Sequence, residues 1–187
     1  MEKYTEVDTF AGLKYFIKRD YFRINGSRKL KSILTTALIE PGFKYCLWLR
    51  ITRYLWLKHS IFFIISRFIL KHFAYKYEFD ISYRAKIGPG LAIGHHGYIV
   101  VASNAVIGNN CFLRPGVIIG KKDNVSPHSP VIGDSVIFGA GSKAVGNIKI
   151  GNHVSIGANA VVLHDVPDNC IAVGVPAVNK PVRKKDE

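Results

Sequence analysis

The sequence predicts a mainly β protein: a parallel β-helix of hexapeptide repeats preceded by an α-helical N-terminal region. Three observations predict it. First, an aliphatic or small residue recurs every six positions, often with Gly just after it: Ile81, Ile87, Ile93, Ile99, then Ile107, Leu113, Ile119, then Ile132, Phe138, Ala144, Ile150, Ile156 and Val162. A period of six fits neither a helix nor a simple strand, but it fits a solenoid in which each hexad supplies one short strand and one turn. Second, the residue four places later is again small or apolar: Ala85, Leu91, Cys111, Val117, Val136, Ser142, Ile148, Val154, Ala160 and Val166. Two inward positions per hexad make a narrow axial core. Third, residues 1–79 lack the period and show helical spacing instead. The chain therefore divides into a helical, basic region (1–79), the β-helix (80–170) and a C-terminal tail (171–187).

Three hexads close one coil of about 18 residues, stacked about 4.8 Å apart. The repeat supports roughly five coils. Two steps break the period. Ile99 to Ile107 is a step of eight, and Ile119 to Ile132 is a step of thirteen. Extra residues in a solenoid leave the stack as loops, and such loops tend to line a binding face.

Four helices are expected in the first region: Thr9–Phe22, Leu30–Ile39 (stopped by Pro41-Gly42), Phe43–Leu57 and Ser60–Phe73. The last is apolar on more than one face, so it is either buried or lies at a membrane interface. Residues 1–79 carry 15 Lys/Arg against 6 Asp/Glu, and residues 80–187 carry 11 against 7. The basic excess fits either a solvated face or an anionic membrane surface, with Trp48, Trp56, Phe62, Phe63 and Phe68 interleaved. No nucleic-acid motif accompanies it. No apolar run reaches the ~18 residues a spanning helix needs, and Met1–Phe10 lacks the apolar stretch of a secretory signal. Cys46, Cys111 and Cys170 show no metal spacing, so they are expected as reduced thiols of a cytoplasmic protein that could associate peripherally with a membrane.

Among seven histidines, His59, His72, His153 and His164 read as surface residues. His95 and His96 lie in the Ile93–Tyr98 turn, and His128 lies in the long insertion. They are either a site or three exposed side chains. An imidazole beside a carboxylate can take a proton from an alcohol as it attacks an acyl group.

Asp80-Ile81, then Ala85-Lys86-Ile87-Gly88-Pro89-Gly90, then His95 followed by Ile99-Val100-Val101, resembles the serine acetyltransferase branch of the hexapeptide-repeat acyltransferases. Ala172-Val173-Gly174-Val175-Pro176-Ala177 is similar to the end of such β-helices. The resemblance covers residues 80–180. It implies a left-handed coil, a homotrimer, and acetyl-CoA as co-substrate in the groove between subunits, with no metal. It implies His95 as general base and Asp80 as the carboxylate that orients it. Gly120, Ala140 and Ala158 match positions where the family's backbone meets the pantetheine arm. Beyond the matched positions, the basic Lys180 and Arg183 are expected at the CoA phosphates, and His96 and His128, from their places in the turn and the insertion, at the acceptor.

Departures from the branch bear on the acceptor. Gly94 stands where the branch has an Asp that holds the amino group of serine. The Arg-His-Pro of the branch has no aligned counterpart, because Ser129 precedes Pro130. The short basic head resembles the subgroup that acetylates sugars of capsule, exopolysaccharide or lipopolysaccharide. The expected acceptor is thus a sugar hydroxyl of a surface polysaccharide or its lipid-linked precursor. Serine is the alternative, followed by another acyl acceptor, a small molecule or a sugar amine. A binding-only β-helix or a zinc hydratase comes last.

Overall fold

The computed structural model describes residues 6–26, 33–123 and 127–181. Residues 30–32 of the expected second helix, Val125 and Ser126 of the insertion, and Arg183 lie outside them.

Every residue of the sixfold series falls in a short strand. The strands run β1 (Phe79–Ile81), β2 (Lys86–Ile87), β3 (Ala92–Ile93), β4 (Ile99–Val101), β5 (Val106–Ile107), β6 (Phe112–Leu113) and β7 (Ile118–Gly120). They continue as β8 (Val131–Ile132), β9 (Ile137–Phe138), β10 (Lys143–Val145), β11 (Lys149–Ile150), β12 (Ser155–Ile156) and β13 (Val161–Val162). Successive strands turn onto different faces, and every third strand pairs in parallel. The first face is β1-β4-β7-β10-β13, the second β2-β5-β8-β11, and the third β3-β6-β9-β12. The third face is extended by β14 (Cys170–Gly174) and β15 (Ala177–Pro181). These two pair with each other antiparallel, so much of the expected tail is a hairpin. The residues four places on, from Ala85 to Val166, are all buried. Apart from Ser142, whose hydroxyl donates to Gly139 O, they and the sixfold residues form one continuous core.

The step of eight sits one strand earlier than the sequence suggests. Val101, and not Ile99, pairs with both Ile81 and Ile119. Ala105, four residues after Val101, is fully buried, whereas Ser103, four after Ile99, is not. Ile99 and Val101 both point inward because β4 spans a full period of two. The two extra residues therefore belong to the turn between β3 and β4, which carries His95 and His96.

The helices are α1 (Phe10–Asn25), α2 (Ile33–Ile39), α3 (Pro41–Leu57) and α4 (Phe63–Tyr77). The Thr9 hydroxyl accepts from Gly12 N at 3.0 Å to start α1. Gly26 ends it in the left-handed region at φ 58°. Pro41 does more than stop α2: it occupies the first turn of α3, where its missing N–H costs nothing. The last helix runs past Phe73 to Tyr77, whose ring stacks on Phe73 and tilts against Phe79.

The head closes the open end of the first coil. Tyr45, Cys46 and Leu49 of α3 join the β-helix core. The Tyr45 hydroxyl donates to Ile81 O and accepts from Ile81 N. Arg50 is buried and bonds Asp20 of α1 through two nitrogens, at 2.9 and 3.2 Å. It also donates to Ile87 O and Gly88 O. Asp20 in turn accepts from Gly90 N and Leu91 N. Burial pushes the Asp20 carboxyl up, against the pull of Arg50 and of these two N–H groups. Arg53 donates to the Tyr83, Arg84 and Ala85 carbonyls while pairing with Glu6. The aromatic residues expected at a headgroup layer are split by this packing. Trp48 lies against the core, and Trp56 and Phe63 pack on Tyr83. Phe62 and Phe68 remain exposed.

Cys46 and Cys111 are buried and unpaired by any disulfide, and Cys170 is half-buried. Burial raises the Cys111 thiol to about 11, which keeps it protonated and inert at neutral pH.

Candidate active site

His95 stands at the corner between the third and first faces, where the two extra residues swing the chain outward. Its φ is 61°, in the left-handed region that side-chain-bearing residues seldom enter. The side chain is exposed at the rim of a hollow of about 380 Å³ lined by Arg23, Ile24, Glu40, Ala92, Ile93, Gly94 and Phe112. Two walls of this hollow come from the head. Gly42 lets them approach: a Cβ there would collide with the Ile93 carbonyl oxygen, so only glycine allows α3 to lie against β3. Arg23 is in the last turn of α1. Glu40 is the residue before Pro41 and makes no capping bond with its side chain. Among the described residues neither charged group has an ion-pair or hydrogen-bond partner for its side chain. Sequence reading missed both. The one signal was a carboxylate next to the Pro-Gly that begins α3, and nothing in its spacing tied it to residue 95.

The structure brings together only part of the expected site. Asp80 is at the same corner as His95, because β1 pairs with β4 and the His95 turn leads into β4. Yet no hydrogen bond joins the two side chains. Asp80 faces a separate hollow of about 380 Å³ lined by Lys71, Ala74, Tyr75, Glu78, Phe79, Tyr98 and Val100. His96 is exposed beside His95 and lines neither hollow. His128 is on the loop between β7 and β8, at the corner between the first and second faces. Within one chain it does not share a corner with His95, contrary to a site built from both. The cause is topological: the insertion follows a strand of the first face, whereas the His95 turn precedes one.

Ala140 and Ala158 lie in the turns after β9 and β12, on the same edge as His95. This edge is a continuous stack. Gly116 N donates to Tyr98 O, Gly141 N to Pro115 O, and Asn159 N to Ala140 O. Gly120 ends β7, at the opposite edge of the first face. Lys180 is exposed on β15.

Gly94 has a packing reason of its own. A Cβ there would lie 2.6 Å from the tip of the Phe112 ring, so a side chain at this position requires the half-buried ring to turn aside.

The bacterial transferase hexapeptide (six repeats) family matches residues 129–164. A serine acetyltransferase of Synechococcus elongatus is 33% identical over 168 residues, 89% of this chain and 65% of that protein. Soybean serine acetyltransferase complexed with serine superposes with a TM-score of 0.78 at 33% identity, covering 90% of this chain and 69% of that one. A serine acetyltransferase in complex with CoA superposes at 0.76 with 30% identity, covering 91% and 71%. The chain belongs to the hexapeptide-repeat acyltransferase family. It spans about two thirds or less of the length of the curated relatives it matches.

The similarity corrects the expected acceptor. These three, each matched over about nine tenths of this chain, are serine acetyltransferases and not enzymes of polysaccharide synthesis. Gly94 had argued against serine because the amine-binding Asp is missing. The hollow supplies a carboxylate from the other side, on Glu40.

Proposed function

We propose that the chain is an acetyl-CoA-dependent O-acetyltransferase with L-serine as acceptor and His95 as general base. The observation that carries the reading is the His95 hollow, where one unpaired cation and one unpaired anion flank an exposed imidazole. A zwitterionic amino acid suits that arrangement, its carboxylate toward Arg23 and its ammonium toward Glu40. The size of the hollow suits a small acceptor. The resemblance to enzymes complexed with serine and with CoA supports the same assignment.

The chemistry follows from the groups present. The serine hydroxyl gives its proton to neutral His95 as its oxygen attacks the thioester carbonyl. The tetrahedral intermediate collapses by breaking the C–S bond, and the imidazolium returns the proton to the departing CoA sulfur. Asp80, at the same corner, orients His95 and stabilises the imidazolium once the acceptor has drawn the two together. Ala140 and Ala158 leave the edge beside His95 open to the pantetheine arm, and Lys180 and Arg183 serve the CoA phosphates.

A homotrimer completes the site. His128 and Gly120 are at one edge of the first face, and His95, Ala140 and Ala158 are at the other. Threefold assembly sets one copy's insertion against the next copy's His95 corner.

Serine-dependent release of CoA from acetyl-CoA tests the reading. The expected result is turnover with L-serine and O-acetylserine as product. Thioester consumption that L-serine does not accelerate would refute it.

A further inference from the structure

One face of the head has no place in the acetyl-transfer account. On α4, Ser66, Leu70 and Tyr77 are buried against the rest of the protein. The opposite side presents Ile64, Ile65, Phe68 and Tyr75, and the turn before the helix presents Ile61 and Phe62. Each of these six side chains is more than half exposed, and Ile61 is at 80%. Helical spacing puts Ile64, Ile65, Phe68 and Tyr75 on one stripe, and Ile61 and Phe62 are exposed in the turn that leads into it. A run of exposed large apolar groups of this kind marks an interaction surface.

Charge identifies what it meets. Residues 58–77 include Lys58, Arg67, Lys71 and Lys76 and no Asp or Glu; Glu78 and Asp80 follow the helix and share a hollow with Lys71 and Tyr75 at its C-terminal end, away from Ile61, Phe62 and Ile65. Arg67 and Lys71 are exposed along one flank of the stripe and Lys76 along the other. Arg67 and Lys71 also border a groove of about 390 Å³ whose other walls are Phe63, Ile64 and Phe68. Apolar groups in the middle with cations on both sides match an acyl layer beneath acidic headgroups. A second copy of the same face would bring these cations against one another. At 15 residues α4 is too short to span a bilayer, and no helix among the described residues is long and apolar enough to do so.

We propose that α4 docks the protein on the surface of an anionic phospholipid bilayer, with Ile61, Phe62, Ile65 and Phe68 in the acyl boundary and Arg67, Lys71 and Lys76 at the headgroups. This holds whichever hydroxyl accepts the acetyl group. Docking leaves the His95 hollow to the α1, α3 and β3 side of the head.

Flotation of the full chain with phosphatidylcholine vesicles, with and without about one third phosphatidylglycerol, tests the proposal. The protein is expected to float with the anionic vesicles at about 0.05 M salt, to be released toward about 0.5 M, and to stay down with neutral vesicles. The double variant Ile65→Ser/Phe68→Ser is expected to lower vesicle affinity by at least about tenfold with an unchanged circular dichroism spectrum. Should that variant misfold, Arg67→Glu/Lys71→Glu, altered only at exposed positions, is expected to abolish flotation. Failure of the wild type to float at low salt overturns the proposal, as does flotation indifferent to a folded variant. So does light scattering in which the same variants split a larger assembly, because the face would then join copies of the chain.

Discussion

Along the β-helix each coil buries the same kinds of residue at the same two positions, whereas the head is fastened by side chains that occur once. Beyond the first coil, which meets the head, the solenoid core spreads over apolar residues that each pack against the coil above and the coil below. The head depends on Tyr45, Arg50 and Arg53, which together reach the carbonyls of Ile81, Tyr83, Arg84, Ala85, Ile87 and Gly88, and on Asp20, which accepts from Gly90 N and Leu91 N. The difference teaches where each region is vulnerable. A repeat tolerates a small loss anywhere, and the head fails at a few points.

The largest effect should therefore come from the head. Asp20→Ala leaves the Arg50 guanidinium buried without its carboxylate, and breaking such a pair costs about 3–5 kcal/mol. The expected outcome is early loss of hydrogen-exchange protection in α1 and α3 while β7 to β13 stay protected. Uniform loss across both regions would dissolve the distinction. A smaller effect is expected in the solenoid. Ile119→Val, Ile132→Val and Ile156→Val should each cost about 0.5–1.5 kcal/mol, similar to one another, in denaturant titrations. A spread of several kcal/mol among them would mean that the coils are not equivalent.

The smallest effect concerns the turns that link the coils. Side chains there stack as a ladder: Asn109 N donates to Asp134, Asp134 N to Asn152, and Asn152 N to Asp168. The Asn152 backbone N–H, with help from its side chain, holds the Asp168 carboxyl below its ordinary 3.8. A carboxyl lowered in the folded state contributes stability above its unfolded pKa and loses it as pH falls through the folded one. Asp168→Asn should flatten the part of the acid unfolding curve below about pH 4, by lowering the melting temperature slightly at pH 7 and leaving it unchanged at the acid end.

The same contrast explains what the sequence disclosed. Periodicity revealed the strands because a solenoid repeats its burial pattern at a fixed interval. It misplaced the eight-residue step because Ile99 and Val101 are both inward in one strand, and only pairing with Ile81 and Ile119 tells them apart. The head's fastenings were not legible, since Asp20, Arg50 and Ile87 are thirty or more residues apart and belong to no repeat. His95 and Asp80 were marked by resemblance to a known branch. Arg23 and Glu40 were not, because only the way α1 and α3 lie on β3 brings them to the His95 hollow. His128 was read as lying in the long insertion, and the sequence could not say at which corner that loop leaves the coil; the structure puts it between the first and second faces.

The central claim is that the active site is made where these two regions meet, chemistry from the solenoid and acceptor binding from the head. Steady-state kinetics with varied L-serine and acetyl-CoA tests it most directly. His95→Ala should lower kcat by about 10²–10⁴, and Asp80→Asn should lower it less. Arg23→Met and Glu40→Gln should each raise the serine KM about 10- to 100-fold, as expected for losing a charge-assisted contact of about 1.5–3 kcal/mol, with the acetyl-CoA KM unchanged. Wild-type serine kinetics in both head variants, or full activity without His95, would contradict the account.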